Sequence, residues 1–131
     1  MLLDTSGLLC YFDDADARHA DAVVYFDGAP FKVTHSYVLA EFIPLCHTRR
    51  LPRVDSLVFA WDLLSNPEIE FTWVDEKLHR TALSLLQARL DKTYSLCDAV
   101  SFLLMRQHRM NDALTTDRHF EQEGFARLLR P

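Results

Sequence analysis

Glycine is scarce in this sequence, and its three glycines form no phosphate-binding loop. Gly7, Gly28 and Gly124 stand far apart, so the patterns GxGxxG, GxxxxGKS and GxxxxGKT are all absent. These patterns work by letting several main-chain amides approach a phosphate closely, which requires glycines at fixed spacing. Dinucleotide binding and nucleotide binding of these two kinds are therefore excluded.

Cysteine is equally scarce and shows no pattern. Cys10, Cys46 and Cys97 are odd in number, follow no CxxC spacing and lie among apolar neighbours. Because free cysteine is one of the most frequently buried residue types, we expect three buried, reduced thiols. This expectation disfavours both a disulfide and a zinc site, and the histidines also lack the HxxxH spacing of a metal-binding pair.

Long apolar runs and an excess of positive charge are also missing. No stretch approaches the roughly 20 apolar residues of a membrane span, and Asp4 interrupts an N-terminus that lacks basic residues. We therefore expect a cytoplasmic protein that is not secreted and does not bind membranes. The net charge of −5 gives no electrostatic footprint for non-specific DNA binding. It does not exclude RNA, because one acidic pocket would account for most of the excess negative charge.

Short apolar segments alternate with longer segments of helical periodicity along one ordinary globular domain, residues 1–131. Strands are predicted at 1–4, 31–34, 69–74, 113–116 and 126–129. Helices are predicted at 14–26, 36–49, 52–66, 75–90 and 95–108, with a helical turn at 5–12 and a loop at 117–124. This alternation favours an α/β fold with a central parallel sheet and helices on both faces.

Four acidic residues lie at strand ends or in the first turns of helices: Asp4, Glu41, Asp98 and Asp117. Because ligands of open parallel sheets bind beyond the carboxyl ends of the strands, these side chains are expected in one crevice. Crowded carboxylates repel one another, so such a cluster persists by binding a cation or sharing a proton. Oxygen ligands of this kind select Mg²⁺, with Mn²⁺ as a possible substitute.

Each of the three aspartates also has a purely structural interpretation. Asp4 can be a helix N-cap, Asp98 can close a capping box with Ser95, and Asp117 can form a turn. The two interpretations of Asp98 are compatible, because a helix N-terminus stabilises the ionised carboxylate that a metal requires.

Glu41 is harder to explain structurally, because it lies at the edge of the apolar stripe of its helix. Pro44 removes the amide that would bond to the Ala40 carbonyl, so a kink beside Glu41 is expected. His119 could be a metal ligand, although a packed or surface histidine in a loop is the simpler assignment.

Two other folds with acidic crevices fit poorly. A phosphoaspartate receiver needs adjacent acids after the first strand and a lysine near the last ones, whereas the lysines here are Lys32, Lys77 and Lys92. A phosphatase of the haloacid-dehalogenase type needs a second aspartate two residues after the first, where this chain has Ser6.

Four segments, in order, resemble the PIN domain, specifically the small single-domain ribonuclease toxins of the VapC type. They are LLDTS at 2–6, VLAE at 38–41, YSLCDA at 94–99 and LTTDRHF at 114–120, and the resemblance covers the entire chain. It implies a PIN-like three-layer α/β/α fold. Asp4, Glu41, Asp98 and Asp117 match the acidic metal-binding positions of the family, and Ser6 and Thr116 match hydroxyl positions beside them. Pro44, and Gly7 in place of a larger apolar residue, depart from the usual pattern.

The resemblance also implies a function and partners. The expected activity is metal-dependent endoribonuclease cleavage by the toxin of a toxin–antitoxin pair, acting as a homodimer and inhibited by a VapB-type antitoxin. We assign Asp4 and Asp98 as principal metal ligands, Asp117 as a direct or water-mediated ligand, and Glu41 as a ligand or water-orienting base. The alternative is a catalytically silent PIN-like protein that binds RNA or has a regulatory role.

Overall fold

The computed structural model describes all 131 residues and contains five short strands and seven helices. The strands are β1 (Leu2–Leu3), β2 (Lys32–His35), β3 (Ile69–Thr72), β4 (Asp112–Leu114) and β5 (Ala126–Arg127). The helices are α1 (Thr5–Phe12), α2 (His19–Gly28), α3 (Ser36–Thr48), α4 (Arg53–Ser65), α5 (Glu76–Gln87), α6 (Leu96–Gln107) and α7 (Arg118–Gln122).

All five strands form one parallel sheet in the order β3-β2-β1-β4-β5. The first strand is therefore central, with Leu2 paired to Val33 on one side and to Ala113 on the other. This arrangement confirms the α/β fold class with a parallel central sheet covered by helices. It also places the chain segments that follow β1 and β4 beside each other at one edge of the sheet.

The two faces of the sheet carry separate apolar clusters. Leu3, Leu114 and Ile69 contribute to the cluster with α1 to α4, whereas Leu2, Val33 and Ala113 contribute to the cluster with α5 to α7. Neighbouring residues of a strand point to opposite faces, so the apolar run at the start of the chain contributes side chains to both clusters. The strands thus read as continuous apolar segments, as expected for a sheet buried on both faces.

Helix α1 approaches the sheet unusually closely at Gly7. A Cβ atom at this position would lie 1.8 Å from the main-chain oxygen of Leu114 and 2.4 Å from its carbonyl carbon. The absence of a side chain thus lets the backbone of α1 rest directly on the end of β4. Gly7, a departure from the usual family pattern, thus permits the close contact between α1 and β4.

Two segments differ from the sequence-based prediction. The predicted loop at 117–124 contains the short helix α7, which begins where the Asp117 side chain accepts a hydrogen bond from the His119 amide at 2.9 Å. Helix α2 begins at His19, later than predicted, because Asp13 and Asp16 hold a turn by accepting hydrogen bonds from the Ala15 and Arg18 amides. In both places an aspartate favours a local hydrogen bond that helical periodicity does not reveal.

The three cysteines are free and buried, as predicted. Burial raises the pKa of the Cys10 and Cys46 thiols to about 11. No helix of the structure is long and apolar enough to span a membrane.

Candidate functional site

Asp4 lies at the carboxyl edge of the sheet, directly after the central strand, and its side chain is buried with a relative exposure of only 5%. Thr115 Oγ1 donates a hydrogen bond to Asp4 Oδ2 at 2.7 Å, and Ser6 Oγ donates to the same oxygen at 3.2 Å. The parallel pairing of Leu3 with Leu114 produces this contact, because it places the next residues of the two strands side by side.

The two hydroxyls also bind the chain that leads to Asp117. Ser6 Oγ accepts a hydrogen bond from the Thr116 amide at 3.0 Å, and Thr115 Oγ1 accepts one from the Asp117 amide at 3.0 Å. The family resemblance put Thr116 at a hydroxyl position beside the acids. In the structure the hydroxyl that contacts Asp4 belongs to Thr115, and Thr116 contributes its main-chain amide to Ser6.

Asp98 lies in the first turn of α6 and forms the capping box that the sequence suggested. Its amide donates to Ser95 Oγ at 3.0 Å, and the Ser95 amide donates to Asp98 Oδ2 at 3.0 Å. The same oxygen accepts a hydrogen bond from His119 Nδ1 at 3.0 Å. The capping role and membership of the acidic cluster therefore coexist in one carboxylate.

His119 links the two aspartates that lie beyond the sheet. Its Nδ1 lies 3.3 Å from Asp117 Oδ1 as well as 3.0 Å from Asp98 Oδ2. Ligand atoms of Asp98, Asp117 and His119 all lie within 4.8 Å of one another. The opposite ring nitrogen, Nε2, lies 3.0 Å from Thr93 Oγ1. Both nitrogens are thus within hydrogen-bonding distance of oxygen atoms, so this ring fixes the direction of the Asp98 carboxylate.

The compact group around His119 includes neither Asp4 nor Glu41. Glu41 lies at the rim, on the solvent-exposed side of α3. Its Oε1 accepts a hydrogen bond from Thr5 Oγ1 at 3.1 Å. Burial raises the pKa of the Cys97 thiol, and the nearby negative charges of Glu41 and Asp4 raise it further, so the thiol lies close to both acids. Helix α3 continues through Pro44 to Thr48.

Side-chain donors engage a single oxygen of each carboxylate. They contact Oδ2 in Asp4 and Asp98, Oδ1 in Asp117 and Oε1 in Glu41. At least one oxygen of each carboxylate is thus held in place by the protein. Supporting hydrogen bonds of this kind orient carboxylates that coordinate metals.

The electrostatics of the cluster favour a bound proton or cation. Burial raises the pKa of Asp4 to about 7, the negative charges of Asp98 and Asp117 add to this effect, and the Thr115 hydroxyl opposes it. The pKa of Asp98 is also raised, chiefly by burial and further by Asp117. Crowded carboxylates, of which Asp4 and Asp98 have raised pKa values, fit a hard divalent ion such as Mg²⁺, which prefers oxygen ligands.

The comparison with known families is consistent with this geometry. Residues 1–125 match the PIN domain. The chain belongs to the PIN domain family. The resemblance inferred from the four sequence segments is thereby confirmed.

Two relatives from Mycobacterium tuberculosis are similar to this PIN domain over almost its whole length. Ribonuclease VapC26 is 30% identical over 128 residues, which cover 92% of this chain and 89% of the relative. The 23S rRNA-specific endonuclease VapC20 is 28% identical over 129 residues, covering 98% and 97%. The crystal structure of VapC20, described as a sarcin–ricin loop cleaving toxin, superposes with a TM-score of 0.85, covering 99% of this chain and 98% of that one.

Sequence reasoning underestimated two supporting residues of the PIN domain. Thr115 precedes the more obvious Thr116, and only the strand register shows which hydroxyl points at Asp4. The sequence predicts a loop at His119. Its position two residues after Asp117 indicates contact between the two residues, because a helix N-cap and the first turn lie close together. Thr93 carries no sequence signal for its contact with His119.

Proposed function

We propose that the protein is a Mg²⁺- or Mn²⁺-dependent endoribonuclease and the toxin of a toxin–antitoxin pair, acting in the cytoplasm. One observation carries the proposal: Asp4 is buried after the central strand of a PIN-type sheet, near enough to Asp98 and Asp117 for their negative charges to raise its pKa. The names of the relatives support a nuclease toxin function. The carboxylate oxygens of the site support the choice of metal.

The residues of the chain have distinct roles in this proposal. Asp4 and Asp98 would hold the ion as principal ligands, and Asp117 would bind it directly or through a water. Glu41, at the rim, would bind the ion or orient the attacking water. A bound Mg²⁺ lowers the pKa of water and neutralises charge that develops on the phosphoryl oxygens. Thr115, Ser6 and His119 keep the carboxylates in position through the hydrogen bonds described above.

RNA is the proposed substrate because of the family, since hydrolysis by an activated water does not require the ribose 2′-hydroxyl. The relatives named above are a ribonuclease and a 23S rRNA-specific endonuclease, and one is described as cleaving the sarcin–ricin loop. A hairpin of the sarcin–ricin sequence is therefore the first substrate to test.

The proposal predicts that the purified protein cuts this hairpin with Mn²⁺ or Mg²⁺ and that EDTA stops the cleavage. Asp98→Asn, purified in parallel, controls for contaminating nucleases because asparagine can still accept the hydrogen bonds from Ser95 and His119. We expect at least about a 100-fold lower rate, since losing even a group that supports a metal ligand costs about 10- to 100-fold. Binding of the hairpin without any cleavage would favour the silent RNA-binding alternative.

We further propose that the protein forms homodimers and that a cognate VapB-type antitoxin inhibits it through basic side chains. An arginine or lysine placed among the carboxylates of the site would compete with the metal. Replacing all basic residues in the C-terminal tail of the antitoxin by alanine should abolish inhibition in the cleavage assay. Undiminished inhibition by that variant would show that the carboxylates are not its target.

A further inference from the structure

A recess of about 290 Å³ lies beside Glu41, next to the acidic cluster. It is lined by Tyr37, Ala40, Glu41, Ser95, Leu96 and Cys97, so α3 forms one wall and the start of α6 forms the other. Two residues of its lining connect the recess to the proposed catalytic site. It shares Glu41, and its Ser95 is the residue whose amide binds the Asp98 carboxylate.

Tyr37 is held in one orientation by two histidines. Its ring packs edge-to-face against His35, with centroids 6.2 Å apart, and against His79, with centroids 5.8 Å apart. The Tyr37 hydroxyl is hydrogen-bonded to His79 Nδ1, and His35 Nε2 is hydrogen-bonded to Ser101 Oγ at 2.8 Å. With its hydroxyl engaged inside the protein, Tyr37 offers a ligand chiefly its apolar ring.

The rim of the recess is rich in hydrogen-bond acceptors. Glu41 contributes a carboxylate, of which only Oε1 is engaged by Thr5. Pro44 has no amide hydrogen, so the Ala40 carbonyl lacks the donor that an uninterrupted α-helix would provide. Apolar walls with a few polar groups at the edge are typical of small-ligand sites, whose volumes begin at roughly 300 Å³.

We propose that this recess binds one unstacked nucleobase of the RNA substrate, next to the phosphate that is cleaved. The inference rests on the proposed nuclease function and specifies how the substrate is recognised. Sequence-specific RNA recognition commonly places splayed-out bases against aromatic side chains and reads their edges by hydrogen bonds. The acceptors at the rim match the amino groups of bases and would repel a phosphate. A recess of this size suits one base and not a longer segment.

The test is a cycle that combines changes in the protein with changes in the RNA. The probe is a fluorescein-labelled sarcin–ricin hairpin in which each loop nucleotide in turn is abasic, and the dissociation constant is measured by anisotropy in EDTA. For wild type, one abasic position should raise the Kd about tenfold, within the range of base–aromatic stacking. For Tyr37→Leu, the Kd of the unmodified hairpin should also rise about tenfold. The abasic change should then raise the Kd of this variant no further.

Ala40→Trp provides a second variant in case the loss of Tyr37 disturbs folding. Ala40 is solvent-exposed, so tryptophan should fill the recess without lowering the melting temperature. It should raise the Kd about tenfold and remove the abasic effect. Trp73→Ala is the matched control, because Trp73 is an aromatic residue that is 69% exposed but does not line the recess. This control should retain the full abasic effect.

Additive effects of Tyr37→Leu and the critical abasic change would overturn the proposal. It would also be overturned if Ala40→Trp prevented inhibition by the antitoxin while leaving the Kd for RNA unchanged, since the recess would then serve the partner. Cleavage is measured separately with Mn²⁺. A wild-type protein that shows the non-additive binding but never cleaves would refute the nuclease function and leave the base-binding recess intact.

Discussion

Replacing Asp4 by asparagine is expected to abolish RNA cleavage and, at the same time, to stabilise the metal-free protein above neutral pH. The loss of a principal metal ligand should lower the cleavage rate by at least about 100-fold, beyond the effect of removing a supporting group. Asparagine is nearly isosteric and can still accept the hydrogen bond from Thr115. Stability should rise because the variant buries no negative charge next to Asp98 and Asp117.

The gain in stability should depend on pH in a defined direction. Folding raises the pKa of Asp4 from the usual 3.8 to about 7, so the folded state binds more protons than the unfolded state between these values. Wild-type stability from this group is therefore fully present below about pH 4 and is lost as the pH rises through 7. A pKa shift from 3.8 to about 7 corresponds to a change of roughly 4 kcal/mol in the free energy of unfolding. This value is an upper limit, because neighbouring carboxylates share the proton.

The measurement is thermal melting in EDTA between pH 4 and 8, beside a cleavage assay with Mn²⁺. Asp4→Asn should melt several degrees above wild type at pH 8, by about 2–4 °C per kcal/mol, and the difference should shrink toward pH 4. Asp14→Asn is the matched control, because Asp14 is exposed and lies outside the site. It should cleave and melt like wild type. A pH-independent difference for Asp4→Asn would show that its carboxylate does not hold the proton.

Gly7→Ala is expected to be the most destabilising single substitution. The added Cβ would lie 1.8 Å from the Leu114 oxygen, and the neighbouring atom is main chain, so no side chain can move to relieve the clash. Helix α1 and strand β4 would have to separate. Separation would also strain the hydrogen bond that the Asp4 amide donates to the Leu114 oxygen at 3.2 Å. We expect a loss of more than about 3 kcal/mol, the upper end for ordinary overpacking, or a failure to fold.

Gly28→Ala supplies the control for this prediction. No atom lies within 4 Å of a Cβ built at Gly28, which is the last residue of α2. Alanine should therefore be neutral or stabilise the protein by up to about 1 kcal/mol through its higher helix propensity. Urea unfolding of both variants measures the difference. Equal stability of Gly7→Ala and wild type would mean that α1 does not rest on β4 as the structure shows.

The sequence was sufficient to predict the fold, because buried strands and amphipathic helices leave clear periodicities. It also placed Asp4 and Asp117 close to the carboxyl ends of neighbouring parallel strands, and their role as metal ligands stays a prediction. The contacts among them were less accessible. Whether Thr115 or Thr116 faces Asp4 depends on strand register, and the approach of His119 to Asp98 depends on the position of α7.

The position of Glu41 relative to the other acids also could not be predicted from the sequence. Its place at the edge of an apolar stripe suggested a carboxylate in the crevice of the other acids, and the structure places its side chain at the exposed rim beside Thr5. A helical wheel gives the direction of a side chain around its own helix but not the distance to residues on other elements. That distance depends on how α3 packs against α1 and α6.

The central position of β1 also constrains when the site can assemble during protein synthesis. Strand β1 pairs with β4, so Asp4 and Thr115 cannot meet until nearly the whole sequence between them has been translated. At about 5–20 residues per second, a ribosome needs roughly 6–23 s to proceed from Asp4 to Asp117. Throughout that interval the nascent chain lacks the carboxylate cluster. If the protein is the proposed toxin, the nascent chain is inactive until the residues that follow β4 have been synthesised.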